Sequence, residues 1–293
     1  MGEFELIDRE ATESPGDEWT DIDVGDTEAD RIARQRDREF QEFRKRIKNT
    51  EQFKVEASVF DDATFAALYR LVQDGVVAAF GGPVSTGKEA NVYLALGGDR
   101  AASALATTDP EVAVKVYRIT AAEFEDMEAY LAGDPRFEEL GDTKQIVLAW
   151  TQKEFANLER ARRAGVRVPQ PLGVERNVLV MEFIGTEHDR GRRLAEVDIE
   201  NPETAYEVVR EYIRRLYAAG LVHGDLSEYN LLVHEGELVV IDVGQAVTIH
   251  HPNAEAFLER DCENVASFFT RQGYAVDGDT LLSWVKANAD PDR

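Results

Sequence analysis

From about residue 60 onward, apolar positions recur with the periods of regular structure; before it they are sparse. Asp61 or Asp62 is placed to cap a helix through Gln73, with Phe65, Leu68, Tyr69 and Val72 on one face. VVAAF (76–80) reads as a strand, then comes a glycine loop, then NVYLAL (91–96) as a second strand. Beyond the connection GGDRAASALATTDP, the alternating and β-branched EVAVKVYRI (111–119) makes a third. Residues 120–148 are charged and interrupted by Gly and Pro, partly helical at best. Helical spacing returns in WTQKEFANLERARRAG (150–165), which Gly165 ends. NVLVMEFIG (177–185) is a strongly apolar strand. PETAYEVVREYIRRLYAAG (202–220) is a patterned helix with Val208, Tyr212, Ile213, Leu216 and Tyr217 inward. LLV (231–233) and LVVID (238–242) flank the turn HEGE, and two more helices are predicted near 254–272 and 278–288. No repeat is evident. Strands followed by helices predict an α+β protein of two lobes.

The N-terminal stretch follows other rules. Residues 1–30 carry twelve acidic residues against one Arg, too few apolar anchors to offset chain entropy, and are predicted to be disordered. Residues 31–48 reverse the sign, with eight basic and three acidic residues and only Ile32, Phe40, Phe43 and Ile47 as apolar points. That composition predicts a solvated or partly ordered helix, with a contact for RNA or an acidic partner as the alternative.

Composition narrows the class. In 293 residues, 43% apolar content suffices for an ordinary core. A net charge of −24 argues against indiscriminate nucleic-acid binding. It suits a halophilic, salt-rich cytoplasm, where screening shortens the reach of self-repulsion. The single cysteine, Cys262, excludes an internal disulfide and suits a reducing cytosol. MGEFELIDRE lacks the basic start and apolar run of a signal peptide. No apolar run approaches the roughly 18 residues that span a bilayer. A soluble cytoplasmic protein is expected.

Four pieces carry chemistry. GGPVSTGKEANVYLAL has the G-x-x-x-x-G-K of a nucleotide-phosphate loop, but Glu89 stands where Ser or Thr would hold Mg²⁺. A Walker-type loop runs into a helix, whereas this one joins two strands, as in the flap over ATP in kinases; a plain hairpin has the same signature. In AVKVY, Lys115 lies within an apolar strand and needs an anionic partner, for which Glu154 is the candidate; a lysine snorkelling from an edge strand is the alternative. LVHGDLSEYNLLV spaces Asp225 and Asn230 as D-x-x-x-x-N, a carboxylate for the attacking hydroxyl and a neutral amide for Mg²⁺. An ordinary polar turn is the bland counterpart. Twelve residues after Asn230, an apolar strand delivers Asp242 beside Gly244, a hard oxygen ligand. His250 and His251 lack a third ligand nearby and read as surface loop. His223 is expected to hold the loop by hydrogen bonds, and Cys262 to sit in the core.

Together STGKEANVY, AVKVYRI, MEFIG, HGDLSEYN and IDVGQA resemble the RIO family of atypical serine protein kinases, type-one branch, over roughly residues 55–285. The resemblance implies a two-lobed, protein-kinase-like fold, an antiparallel N-lobe sheet over a shortened helical C-lobe, with ATP and Mg²⁺ between. It divides the chain into a charged tail (1–50), an N-lobe with its preceding helix and a flexible loop at 120–148 (51–184), and a C-lobe (185–293). Ser85, Thr86, Gly87, Lys88 and Glu89 then form the phosphate loop. Lys115 binds phosphates with Glu154 beside it, and Asp225 is the catalytic base. Asn230 and Asp242 hold the metal, and Asp242 has a second role as acceptor of a phosphoryl group. Met181 and the backbones of Glu182 and Ile184 meet the adenine. Only 51 residues follow Asp242, and no A-P-E occurs, so a large peptide-docking platform has no room. The resemblance further implies autophosphorylation, ATPase activity, and work on the pre-ribosomal small subunit, both protein and rRNA. Two other functions share part of the pattern: a small-molecule phosphotransferase of the aminoglycoside-kinase type, and a non-catalytic ATP-gated binding module.

Overall fold

The computed structural model describes residues 38–49, 60–119, 127, 130–131, 143–186 and 188–290. The acidic segment 1–30 lies outside them. Among the described residues a charged helix comes first. Helix α1 (Arg38–Asn49) sets Phe40 and Phe43 against Tyr69 of helix α2 (Asp62–Gln73), with ring centroids 5.9 and 5.2 Å apart. Both phenylalanines are buried. The solvated or partly ordered helix expected over 31–48 is thus a helix over its described part, Arg38–Asn49, but one that buries Phe40 and Phe43 rather than leaving them in solvent. Two aromatic residues at i and i+3 share a helix face, and α2 offers them an apolar stripe to cover. Helix α2 starts as predicted: the Asp61 carboxylate accepts from the Thr64 amide at 2.7 Å.

Strands β1 (Val77–Thr86), β2 (Ala90–Gly97), β3 (Glu111–Tyr117), β4 (Pro171–Glu175) and β5 (Val178–Glu182) form one antiparallel sheet in the order β1-β2-β3-β5-β4. Alternation along β3 decides what each face does. Val112, Val114 and Val116 join the core under α2, while Ala113, Lys115 and Tyr117 line a cleft on the other face. The glycine loop is shorter than its sequence suggests. β1 continues past Gly81 and Gly82 to Thr86 by slipping register around Pro83, and only residues 87–89 turn. Helix α3 (Asp99–Leu105), read as plain connection, buries Ala101 and ends at Ala106 in the left-handed region. Edge strand β4 also escaped the pattern.

Helix α4 (Thr143–Arg163) begins seven residues before the predicted start and packs on the cleft face of the sheet. Of 120–142, only 127, 130 and 131 are described, so the flexible-loop expectation mostly falls outside the structure. After β5 come the small pair β6 (Gly185–Thr186) and β7 (Asp189–Arg190), then β8 (Arg192–Arg193). Helix α5 (Pro202–Ala218) starts with Asn201 capping Thr204 and Pro202 at its first turn. Strand β9 (Leu221–Val222) pairs with β12 (Val247–Thr248). Between them, β10 (Leu231–His234) and β11 (Glu237–Val240) make the predicted hairpin, with Glu235 and Gly236 both at positive φ in the turn. Helices α6 (Ala254–Arg271) and α7 (Gly278–Asn288) close the lobe around Tyr212, Ile213, Leu216, Phe269 and Leu281. No described helix is long and apolar enough to cross a membrane.

Candidate active site

A cavity of about 440 Å³ lies between the sheet and the helical lobe, within the range of small-molecule sites. Its centre is an ion-paired cluster. Lys115 Nζ stands 2.9 Å from Glu154 Oε1 on α4 and 2.6 Å from Asp242 Oδ1. Burial alone would lower the Lys115 pKa, but the charges of Asp242 and then Glu154 outweigh it and hold the ammonium well above its ordinary value. Tyr117 donates its hydroxyl to the second Glu154 oxygen, and burial, with the Glu154 charge, raises its pKa well above the usual range. Lys115 holds the Asp242 carboxyl below its ordinary value against the effect of burial. Asp242 is the open member: its side chain is 57% exposed against 1% for Glu154. Its backbone is left-handed, at φ 63 and ψ 49, a region Asp tolerates better than most residues.

The loop between β9 and β10 brings Asp225 to the same cavity. Asn230 does not line it, but its Nδ2 donates to the Asp225 carbonyl at 2.8 Å and to Asp225 Oδ2 at 3.0 Å. The Ile241 amide donates to the Asn230 carbonyl, so Asn230 stands beside Asp242. His223 links both sides: Nε2 donates to the Ile241 carbonyl, and Nδ1 accepts from the Asp225 amide. Asp261, on α6, anchors the loop from below by accepting the Gly224 and Leu226 amides at 2.8 and 2.7 Å. Burial pushes its carboxyl up to about 6 despite His223 and these bonds.

Ser85, Gly87, Lys88 and Glu89 line the cavity roof, while Thr86 does not. The Gly87 amide donates to the Ala90 carbonyl at 2.9 Å, closing the turn, and a Cβ on Gly87 would sit 3.0 Å from that oxygen. The loop runs strand to strand, which excludes the Walker arrangement.

A sequence profile of the RIO domain matches residues 91–281. The chain belongs to the RIO family. It is 65% identical over 291 residues to a protein of Haloferax volcanii named RIO-type serine/threonine-protein kinase Rio1, covering 99% of this chain and 97% of that one. A Methanocaldococcus jannaschii protein of the same name is 38% identical, covering 81% of this chain and 80% of its own. The human serine/threonine-protein kinase RIO1 is 37% identical, with 79% and 40% covered. Among solved structures, the Rio2 kinase–ADP/Mg²⁺–phosphoaspartate complex from Chaetomium thermophilum superposes with TM-score 0.60 at 20% identity, over 81% of this chain and 68% of that one. That likeness establishes the two-lobed kinase-like fold. This RIO chain is a protein kinase.

In this RIO kinase, Met181, Glu182 and Ile184 also reach the cavity. The Glu182 side chain is committed elsewhere, accepting two hydrogen bonds from the Arg167 guanidinium at 2.6 and 2.7 Å and one from the Gln170 amide. Burial works to raise its pKa, but Arg167 and the Gln170 amide bring it below the ordinary value. The Glu182 amide donates to the Gln170 carbonyl, and the Ile184 carbonyl accepts from Gly191.

Several residues that shape this site went unread in the sequence. Lys153 donates to the Gly244 carbonyl, and Asn157 to the Val243 and Ala246 carbonyls, pinning the turn after Asp242 to α4. Trp150, Lys153, Glu154 and Asn157 follow i, i+3, i+4, i+7, so a polar stripe on an otherwise amphipathic helix was the available signal. Tyr130 stacks on Phe257 at 5.0 Å, meets Trp150 edge-on at 6.1 Å, and accepts from Arg260, joining both lobes. His251 is buried rather than on a surface loop. Its ring stacks on Phe257 and its Nδ1 accepts from the Asn253 amide. Cys262 is fully buried, its thiol pushed up to about 12 by burial.

The donor set suits a small hard cation. The described residues contain no group of three or more His, Cys, Asp or Glu side chains able to hold a metal. Asp242, Asp225 and the Asn230 amide oxygen, whose nitrogen is committed to Asp225, are an all-oxygen set. Mg²⁺ takes such sites, completing its shell with water and phosphate oxygens.

Proposed function

We propose that this protein is an Mg²⁺-ATP-dependent serine/threonine kinase and ATPase that autophosphorylates and acts in maturation of the small ribosomal subunit in the cytoplasm. One observation carries the reading: Lys115, Glu154, Asp225 and Asp242 come from four separate segments to one cavity, with Asn230 bonded to Asp225. In this reading Lys115 holds the α and β phosphates under the roof of Ser85, Gly87, Lys88 and Glu89, with Thr86 in the same loop but outside the cavity lining. The adenine rests against Met181 and meets the Glu182 carbonyl and the Ile184 amide, since the partner atoms of those two peptides are already engaged. Asp225 takes the proton of the acceptor hydroxyl or water. Asn230 and Asp242 hold Mg²⁺, which when bound offsets phosphate charge.

Asp242 also supports a covalent route. Lys115 holds Oδ1, leaving Oδ2 to attack the γ-phosphorus as the bond to ADP breaks; water then releases phosphate and restores the carboxylate. The neighbouring Rio2 kinase from Chaetomium thermophilum is described as a complex with ADP, Mg²⁺ and phosphoaspartate. Family membership weighs against the aminoglycoside-type phosphotransferase. An ATP-gated module without turnover is disfavoured because Asp225 and Asn230 are intact and in contact.

Radiolabelled ATP tests the proposal. Asp225→Ala and Asp242→Ala are each expected to lower autophosphorylation and phosphate release at least 100-fold, in line with general-base losses. Unchanged turnover in both variants would defeat it. The pre-ribosomal role is tested separately by co-sedimentation with purified small-subunit precursors.

A further inference from the structure

Four cations line the cleft: Lys88, Lys115, Arg190 and Arg193. Lys115 is committed to Glu154 and Asp242, and Arg190 to Glu196 and the Gly191 carbonyl. Arg193 differs. Its Nε is buried and makes no hydrogen bond among the described residues, nor does its guanidinium form an ion pair among them. A buried donor without an acceptor is a standing cost, relieved when an acceptor binds.

The backbone explains where this side chain stands. Arg193 ends β8 directly opposite Leu232 of β10. Opposed residues of an antiparallel pair share a face, and Leu232 lines the cleft floor as Arg193 does. Two residues on, the Ala195 amide donates to the Glu228 carbonyl at 3.1 Å, so the chain leaves Arg193 along the loop that carries Asp225.

We propose that Arg193 binds the phosphate chain of the nucleotide from the cleft floor, opposite Lys115. The inference rests on the nucleotide reading above and adds a residue to it. Five carboxylates, Glu89, Glu154, Glu182, Asp225 and Asp242, already line the cleft, so a cation beyond the shared Lys115 adds to the hold on a triphosphate. Guanidinium suits that task, because its planar fork meets two phosphate oxygens at once. A phosphate or carboxylate on an acceptor chain offers the same chemistry, and the experiment separates the two sources.

Binding of ATP, ADP and adenosine with Mg²⁺ is measured calorimetrically at one fixed salt concentration, using the full chain, R193A and R193K. The expected result is ATP and ADP binding weakened about tenfold in R193A. Adenosine should stay within twofold, and R193K should fall between. Because the backbone pairing of β8 is untouched and R193K keeps the charge, a folding defect is recognised as a shared drop in thermal midpoint and adenosine affinity. ATP and ADP affinities equal to those of the unaltered chain overturn the proposal. Equal nucleotide affinities with a raised KM for an acidic peptide acceptor also overturn it, and place Arg193 at the acceptor. If the unaltered chain binds no ATP at all, the nucleotide reading falls first and this one with it.

Discussion

At the residue scale, exposure separates members of one charge cluster that distance does not. Lys115 reaches Glu154 and Asp242 within 2.9 Å, but Glu154 is 1% exposed and Asp242 57%. Removing Lys115 strands a buried carboxylate, whereas neutralising Asp242 leaves Lys115 paired with Glu154. Lys115→Ala is therefore expected to lose about 3 kcal/mol of stability along with activity. Asp242→Asn should lose activity at nearly full stability, and equal unfolding midpoints in urea would refute that split. Asp261 makes a pH prediction. Its carboxyl, pushed by burial from an ordinary 3.8 to about 6, holds its proton more tightly folded than unfolded. The stability it contributes is complete below about pH 4 and is lost as pH rises through about 6, on the order of 3 kcal/mol. Asp261→Asn should flatten that interval of the stability curve. It should also slow catalysis, since the Gly224 and Leu226 amides donate to different Asp261 oxygens and Asn replaces one of these with a donor NH₂. Parallel curves for the two proteins would contradict the assignment.

At the element scale, the helix misjudged most is the one that sets where the chain can be cut. Phe40 and Phe43 of α1 cover Tyr69 and join the core of the sheet. Removing residues 1–49 rather than 1–37 is expected to cost several kcal/mol of stability, as buried phenylalanines carry, and so to lower the thermal midpoint. Equal midpoints would mean that α1 adds nothing. The charged composition of 31–48 hid this, because four scattered large apolar residues in eighteen do not announce a face. Elsewhere legibility followed how narrowly the chemistry constrains residue type. Strand alternation placed Lys115 on the cleft face, and D-x-x-x-x-N placed Asp225 against Asn230. Short elements such as β4 and α3 carry too few periods to stand out. Asp261 and Arg193 act through tertiary neighbours, 35 residues from Leu226 and opposite Leu232, that no local pattern encodes.

At the scale of the whole molecule, the net charge of −24 opposes the compact state everywhere at once. Individual surface pairs, such as Arg271 with Glu228 or Lys286 with Glu255, return little each. What remains is repulsion summed over distances comparable to the molecule's radius, and salt removes that first. Its reach is about 10 Å at 0.1 M and about 3 Å at 1 M. The thermal midpoint is therefore expected to rise steeply with KCl over that range and to rise equally with NaCl, since screening depends on ionic strength. Buried pairs such as Lys115 with Glu154 are shielded from the solvent ions and should not reverse the trend. Residues 1–37 carry thirteen acidic and four basic side chains, so a chain trimmed to start at Arg38 should keep the dependence with a shallower slope. A midpoint indifferent to salt in both proteins would show that the acidic excess acts on solubility alone and not on the fold.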